Sequence, residues 1–329
     1  MCIKGRKPLF EKANTTLETY FPFITPLFVL GGMTIFSFLH SYAFLVPWIF
    51  ACITFSSSLG LKVKEIGHAI KNPLPIFISL IILQVIMPLL AFGGGHLFFA
   101  DDMYIVTGLV LAFVIPTGIV SLMWVSIYKG SSSTTLTIIL VNTMLAPFLV
   151  PLSLQLLIGT EVSLPIWEVM KGLIWMVVVP SIIGLACTHF FTKPSGEIKK
   201  TLAPFAKCGL LLVIAINCSV AAPFLKDTNV SLLKLFVTLL LLTVVGYVLG
   251  FTAAKIFKWD QTIGISLTYS SGLRNNGVGS ALAVTYFPPQ VSIPIIVVIL
   301  FQQVLAAAIG KIIVKSKDRE EKLKKIAGL

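Results

Sequence analysis

The sequence predicts an all-α polytopic membrane protein of ten transmembrane helices, and three observations carry that prediction. Hydrophobic residues make up 57% of the 329 and charged residues only 12%. Mean hydropathy is +0.97, a balance foreign to soluble domains. A span needs roughly 20 apolar residues. Runs of that length fall at 19–39, 43–61, 73–93, 103–127, 132–158, 165–192, 202–223, 230–256, 260–286 and 290–314.

The third observation is the placement of charge. With the N-terminus inside, the inner loops take Lys62, Lys64 and Lys71, then Lys129, then Lys193, Lys199 and Lys200, then Lys255 and Lys258. The C-terminal segment adds Lys315, Lys317, Arg319, Lys322, Lys324 and Lys325. The outer loops take Asp101, Asp102 and Glu161, with Lys226 beside Asp227 as the basic exception. This is the positive-inside pattern, with both termini cytoplasmic. It accounts for the net charge of +12 without a nucleic-acid partner. The expected organisation is a cytoplasmic segment at 1–18, five helices at 19–158, five more at 165–314 and a basic tail at 315–329. Five and five spans place the halves in opposite orientation, the inverted repeat common in secondary transporters. The tail reads as a solvated stop-transfer end or as a contact for anionic lipid.

Little room is left for anything else, and no obligate protein partner is evident. The basic lead (Lys4, Arg6, Lys7, Lys12) precedes a run too long for a cleaved signal, so both ends are expected to be retained. Cys2, Cys52, Cys187, Cys208 and Cys218 show no paired spacing, and His40, His68, His96 and His189 sit near span ends, so no metal site is expected. No nucleophile–base constellation, P-loop or G-x-S-x-G occurs. An enzyme is not expected.

One stretch breaks the pattern. Thr268-Tyr-Ser-Ser-Gly-Leu-Arg-Asn-Asn-Gly-Val-Gly-Ser280 lies inside the ninth span. Gly272 and Gly277 weaken a helix and Asn275 and Asn276 compete for its backbone. Arg274 adds a permanent cation, which costs ~2.5–3.5 kcal/mol at a bilayer centre and marks a functional position. The fourth span carries a matching break, Ile115-Pro-Thr-Gly-Ile-Val-Ser121, around Pro116 and Gly118. Each is the fourth helix of its half. Arg274 has no carboxylate in its layer, because Glu168, with Lys171 three residues on, lies toward the outer side. The guanidinium therefore meets carbonyls and braces the break, or it meets an arriving anion. Gln84, Asn217, Gln302 and Gln303 are further mid-span amides. Singly they read as interhelical glue; with Asn275 and Arg274 they make a denser polar cluster. Ser131-Ser-Ser133 reads as a turn and helix cap, and the Phe and Trp residues as lipid-facing or packing groups.

These residues together resemble the bile acid:sodium symporter family. The likeness runs through Phe55-x-x-Ser58-Leu59-x-Leu61, Gln84-x-x-Met87-Pro88, Pro116-x-Gly118-x-x-Ser121 and on to Pro147 and Pro151. Its strongest element, Gly272-Leu-Arg-Asn-Asn-Gly277, is similar to the family's Gly-Met-Gln-Asn-Ser-Gly. The resemblance implies a panel domain and a core domain, crossed broken helices 4 and 9, and alternating access for small organic anions. Arg274, Asn275, Gln302, Gln303 and Asn217 would contact substrate. The positions answering to the sodium sites are Gln84, Ser121, Thr135, Ser270, Ser271 and Leu273. Ser270 stands where the family has an acidic residue, Arg274 where it has Gln, and Leu122 where it has Asn. The expectation is a transporter in the bacterial plasma membrane that needs no cofactor, with sodium coupling lost or weak and Arg274 in place of a bound cation. A conventional sodium-coupled symporter and a non-transporting ligand sensor are the alternatives.

Overall fold

The computed structural model describes residues 9–59, 61, 73–159, 165–227 and 232–326, and helices account for nearly all of them, with no strand among the described residues. Lys62, Lys64, Lys71, His68 and Glu161 lie outside the described residues, as do Cys2, Lys4, Arg6 and Lys7. The side chains of Lys12, Lys193, Lys226, Asp227 and everything from 314 onward are likewise outside the description.

Helix α1 (Leu9–Met33) leads through a 3₁₀ segment (Ser37–Leu45) into α2 (Val46–Ser58). Helices α3 (Leu74–Ile81) and α4 (Met87–Phe99) are joined by a π turn at Ile82–Ile86. Then come α5 (Met103–Val114), α6 (Val120–Ile127) and the long α7 (Ser132–Ile158). Helices α8 (Ile166–Leu173) and α9 (Val179–Phe190) are joined by a second π turn at Ile174–Val178. Helices α10 (Thr192–Asp227), α11 (Leu232–Ile256), α12 (Gln261–Gly272), α13 (Asn276–Tyr286) and α14 (Ser292–Ile326) complete the chain.

Both π turns have the same cause. Pro88 and Pro180 each stand two residues beyond a turn and can neither donate to nor fit against the carbonyl four residues back. The helix widens instead, with the Met87 N–H bonded to the Ile82 carbonyl and the Val179 N–H to that of Ile174. In the first case the carbonyl bypassed by proline is that of Gln84, so the π turn sits where this mid-span amide is presented.

Among the described residues seven helices are long and apolar enough to cross a membrane unaided, at Ser37–Ser58, Leu74–Phe99, Ser132–Ile158, Ile166–Phe190, Ser195–Phe224, Leu232–Ile256 and Pro289–Ile313. The protein is a polytopic α-helical membrane protein. The expected ten differ from these seven at three places: α1 has a shorter apolar stretch, Phe23–Met33, and the fourth and ninth runs are split into α5/α6 and α12/α13. Helix begins by Leu9 and runs on to Ile326 through the basic tail.

Two sets of helices pack mainly among themselves. In one, α10 lies against α1 and α2, with α9 also on α2; in the other, α4 and α14 pack on α5, while α11, α6 and α7 pack on α12. Helices α5 and α12 lie at the centre of the second set, and α13 packs both on α14 and on α10 and α2 of the first. Every residue of α5 from Ile105 to Val114 is buried, as is every residue of α12 from Ile265 to Gly272 and of α13 from Asn276 to Ala283. A helix buried on all sides belongs to the interior, and irregular backbone at membrane depth requires such cover. Large apolar side chains such as Phe23, Trp48, Leu97, Leu156 and Trp167 face outward, as a lipid-facing surface allows.

Close backbone approach fixes α11 on α12. A Cβ on Gly250 would lie 2.4 Å from the Leu267 carbonyl oxygen, whereas one on Gly93 would meet nothing within 4 Å. Gly→Ala gains ~0.8–1 kcal/mol of helix propensity, but overpacking costs ~1–3 kcal/mol. Gly250→Ala is expected to lower the thermal unfolding midpoint of purified protein and Gly93→Ala to leave it equal or higher. A stabilised Gly250→Ala would show that α11 and α12 are not in backbone contact.

Candidate functional site

The two splits end on matching chemistry. Asp102 caps α5, accepting from the N–H groups of Tyr104 and Ile105 at 3.1 Å each. Asp260 caps α12, accepting from Thr262 at 2.8 Å and Ile263 at 3.2 Å. Burial works against the Asp260 carboxylate, but the Thr262 hydroxyl and these N–H groups hold its pKa below the usual value. Each capped helix runs 12 residues and then stops. Helix α5 stops because a residue before proline leaves the helical region, and Ile115 is extended at φ −58°, ψ 148°. After Gly272, Leu273 is extended at φ −106°, ψ 132°. Asn275 then caps α13, its side chain accepting from the Val278 N–H at 3.4 Å.

The break therefore covers Leu273 to Asn275. Gly272 is the last residue of α12, and Asn276 and Gly277 already belong to the first turn of α13, a correction to the expectation that all three interrupt the helix. The side-chain cap from Asn275 is what lets helix resume one residue before the glycine.

The two breaks lie on each other. The Asn275 N–H donates to the Pro116 carbonyl at 2.9 Å, and the Thr117 hydroxyl donates to the Leu273 carbonyl at 2.8 Å. Gly118 is the point of contact: a Cβ there would lie 3.3 Å from the Asn275 Cα and 3.5 Å from the Arg274 carbonyl oxygen. Backbone groups freed by one interruption are taken up by the other.

Arg274 sits at this contact, 6% exposed. None of its three guanidinium nitrogens has a hydrogen-bond partner among the described residues, so bracing by carbonyls is not what the geometry provides. The mid-span amides form pairs. Gln84 donates to Asn142 at 2.6 Å, Asn276 to Gln302 at 2.8 Å and Asn217 to the Ser280 hydroxyl at 2.8 Å. Gln303 accepts from the Trp124 indole at 3.1 Å. The Ser121 hydroxyl donates to the Gly118 carbonyl, while those of Thr135, Ser270 and Ser271 are buried and unpartnered. Of the sequence candidates, Arg274 and Asn275 lie at the crossing itself; Asn275 is committed to a cap and Gln302, Gln303 and Asn217 to neighbours.

Three features escaped the sequence reading. Asn142 carries the signal that singled out Gln84, a lone amide in an apolar run. Thr117, inside a quoted motif, gives its side chain to the opposite break. Trp124, Tyr128 and Tyr269 stack nearly parallel with centroids 5.8–6.2 Å apart, and the Tyr269 hydroxyl donates to the Ala306 carbonyl at 3.0 Å. Trp124 therefore joins α6, α12 and α14 rather than facing lipid. No cluster of metal-ligating residues exists among the described residues, and Lys171 pairs with Glu168 at 2.7 Å, half exposed.

Comparison with known proteins agrees with this architecture. A family model described as the Sodium Bile acid symporter family matches residues 46–228. The chain is 44% identical over 290 residues to the "Uncharacterized protein YbaS" of Bacillus subtilis, covering 88% of this chain and 95% of that one. It is 27% identical over 264 residues to the "Uncharacterized sodium-dependent transporter YocS" of the same organism, covering 77% and 80%. It is 23% identical over 307 residues to the "Probable sodium/metabolite cotransporter BASS5, chloroplastic" of Arabidopsis thaliana, covering 85% and 71%. The chain belongs to the sodium bile acid symporter family, and it is a secondary transporter, not an enzyme.

Thr117→Val keeps the shape at the crossing and leaves the buried Leu273 carbonyl without its donor. An unsatisfied buried group costs ~1–3 kcal/mol, so the variant is expected to unfold at lower temperature than wild type. An unchanged midpoint would show that the two breaks do not depend on this bond.

Proposed function

We propose that this protein moves small organic anions of the carboxylate or sulfonate type across the bacterial plasma membrane by alternating access, without sodium coupling. The observation that carries the reading is Arg274, a permanent cation buried where two interrupted helices meet, with no carboxylate paired to it among the described residues. Such a charge attracts an anion and repels a cation.

Ten crossings in two inverted repeats, with both termini cytoplasmic, fit this role. The seven uninterrupted helices are joined by α1 and by the pairs α5/α6 and α12/α13, each pair counted as one crossing. Two Asp-capped helices of 12 residues, each ending in a break that touches the other, are what a repeated unit of opposite orientation would supply. The set built on α1, α2, α8, α9 and α10 then corresponds to a panel, and the set holding the crossing to a core. Substrate binds between them, near Arg274, Asn275, Gln302, Gln303 and Asn217. Helix N-termini at Val120 and Asn276 add partial positive charge. The amide pairs are the groups that would exchange partners when an anion enters.

The residues at the sodium positions do not fit the ion. Sodium wants several oxygens with a carboxylate among them, and here Ser270 replaces that carboxylate, while Ser121 already donates to a carbonyl. A unit charge 4 Å from another like charge is opposed by ~4 kcal/mol at an effective dielectric near 20, roughly a thousandfold in affinity. Arg274 therefore stands in for the ion. The free hydroxyls of Thr135, Ser270 and Ser271 and the sodium-dependent relatives favour a second reading, a conventional sodium-coupled symporter.

Counterflow of radiolabelled organic anions in proteoliposomes tests the proposal. Saturable flux is expected for at least one carboxylate or sulfonate, equal in sodium and choline buffers. Loss of a charge-assisted bond costs ~1.5–3 kcal/mol, so Arg274→Gln should reduce flux about 10- to 100-fold. Sodium-dependent flux would establish the second reading, and absence of saturable flux for every anion would refute both.

A further inference from the structure

Hydroxyls in helices ordinarily donate back to the carbonyl four residues earlier, and most around the crossing do so. Thr137 donates to Ser133, Ser266 to Thr262 and Thr268 to Gly264. Thr135, Ser270 and Ser271 do not; each hydroxyl is buried without a partner among the described residues. The Asn142 side-chain NH₂ is also buried and unpartnered, its oxygen being taken by Gln84.

These groups share a region. Helices α7 and α12 start side by side, the Ser131 N–H donating to the Thr262 carbonyl and the Ser266 hydroxyl to the Ser131 carbonyl, both at 2.9 Å. One turn further along each helix, at about 1.5 Å of rise per residue, stand Thr135 and Ser270. Ser271 and Arg274 follow directly. The Ser271 carbonyl and the Gly272 Cα lie against Gly246, which in turn faces Met87, three residues after Gln84. Apart from the side-chain oxygens of Gln84 and Asn276, the unpartnered atoms in this region can donate: three guanidinium nitrogens, the hydroxyls of Thr135, Ser270, Ser271 and Tyr247, whose ring packs on Gly272, and one amide NH₂. The region carries a permanent positive charge, and none of these residues is acidic.

We propose that this donor-rich region is a binding site for a small monovalent anion of the halide class, held by Arg274 with Ser270, Ser271 and Thr135 in the substrate-free protein. The inference rests on the reading of Arg274 as a fixed charge in an anion carrier and adds the counter-ion that accompanies it. Size follows from enclosure. Thr135 and Ser270 are 0% exposed and Ser271 1%, and they line neither the apolar groove at Phe236 and Leu300 nor the one at Trp48 and Phe205. Groups so enclosed favour a one-atom anion in the substrate-free protein, whereas an organic anion needs the amide pairs to open.

Thermal unfolding of purified protein in choline chloride, bromide, formate or sulfate at constant ionic strength, without organic substrate, tests this. A ligand that binds only the folded state raises its midpoint with occupancy. Chloride and bromide are expected to raise it saturably, by about 3 °C, relative to sulfate. Arg274→Gln should abolish the rise, Arg274→Lys should keep part of it, and Thr135→Val or Ser271→Ala should weaken it. Lys171→Gln, at the exposed ion pair, should leave it intact. Equal midpoints in chloride and sulfate, or a response undiminished in Arg274→Gln, would overturn the inference. A response to formate but not to chloride would also overturn it, assigning the site to a carboxylate. Counterflow in halide-free buffer keeps the two readings separate. Flux without a halide response removes this inference alone, and a halide response without any organic-anion flux removes the transport reading alone.

Discussion

Interrupting a helix within the hydrocarbon core frees backbone groups that water cannot reach, and each unsatisfied group costs several kcal/mol there. In this protein each of two interruptions completes the other. The Asn275 N–H finds the Pro116 carbonyl, and Thr117 reaches the Leu273 carbonyl. Much else follows from keeping these bonds short. Gly118 lets the breaks lie close, since a Cβ there would press on the Asn275 Cα at 3.3 Å, and α5, α12 and α13 must be enclosed on all sides. The apolar bulk of the second helix set serves as that enclosure.

The same constraint explains why a cation is tolerated at the centre. An unpaired guanidinium exposed to lipid would be costly and would snorkel toward the interface, but Arg274 is anchored at a crossing already closed to lipid. Its surroundings are rich in donors and have no carboxylate. The proposed anion carrier rests on that donor balance rather than on the helix count.

Much of this was legible in the sequence because membrane constraints are severe. The fourth run, 103–127, has the outer limits of α5 and α6, and 132–158 has those of α7. Glycine, proline and asparagine clusters located both breaks to within a few residues. Pairing was less legible. Gln84 could be singled out as a mid-span amide, but its partner Asn142 lies 58 residues away, and hydropathy carries no information about which two helices meet. Likewise Gly272 and Gly277 looked like the centre of the ninth break, whereas a side-chain cap from Asn275 moved the helix start ahead of Gly277. The aromatic stack of Trp124, Tyr128 and Tyr269 joins two distant segments and has no local signature.

The central claim is that Arg274 takes the place of a cation at the crossing. The most direct measurement is thermal unfolding of wild type and Arg274→Gln as sodium replaces choline at constant chloride. The account predicts that wild type ignores sodium while Arg274→Gln gains a saturable sodium stabilisation, because the free hydroxyls of Thr135, Ser270 and Ser271 can then accept an ion that no fixed charge repels. Sodium stabilisation of the wild-type protein would contradict it.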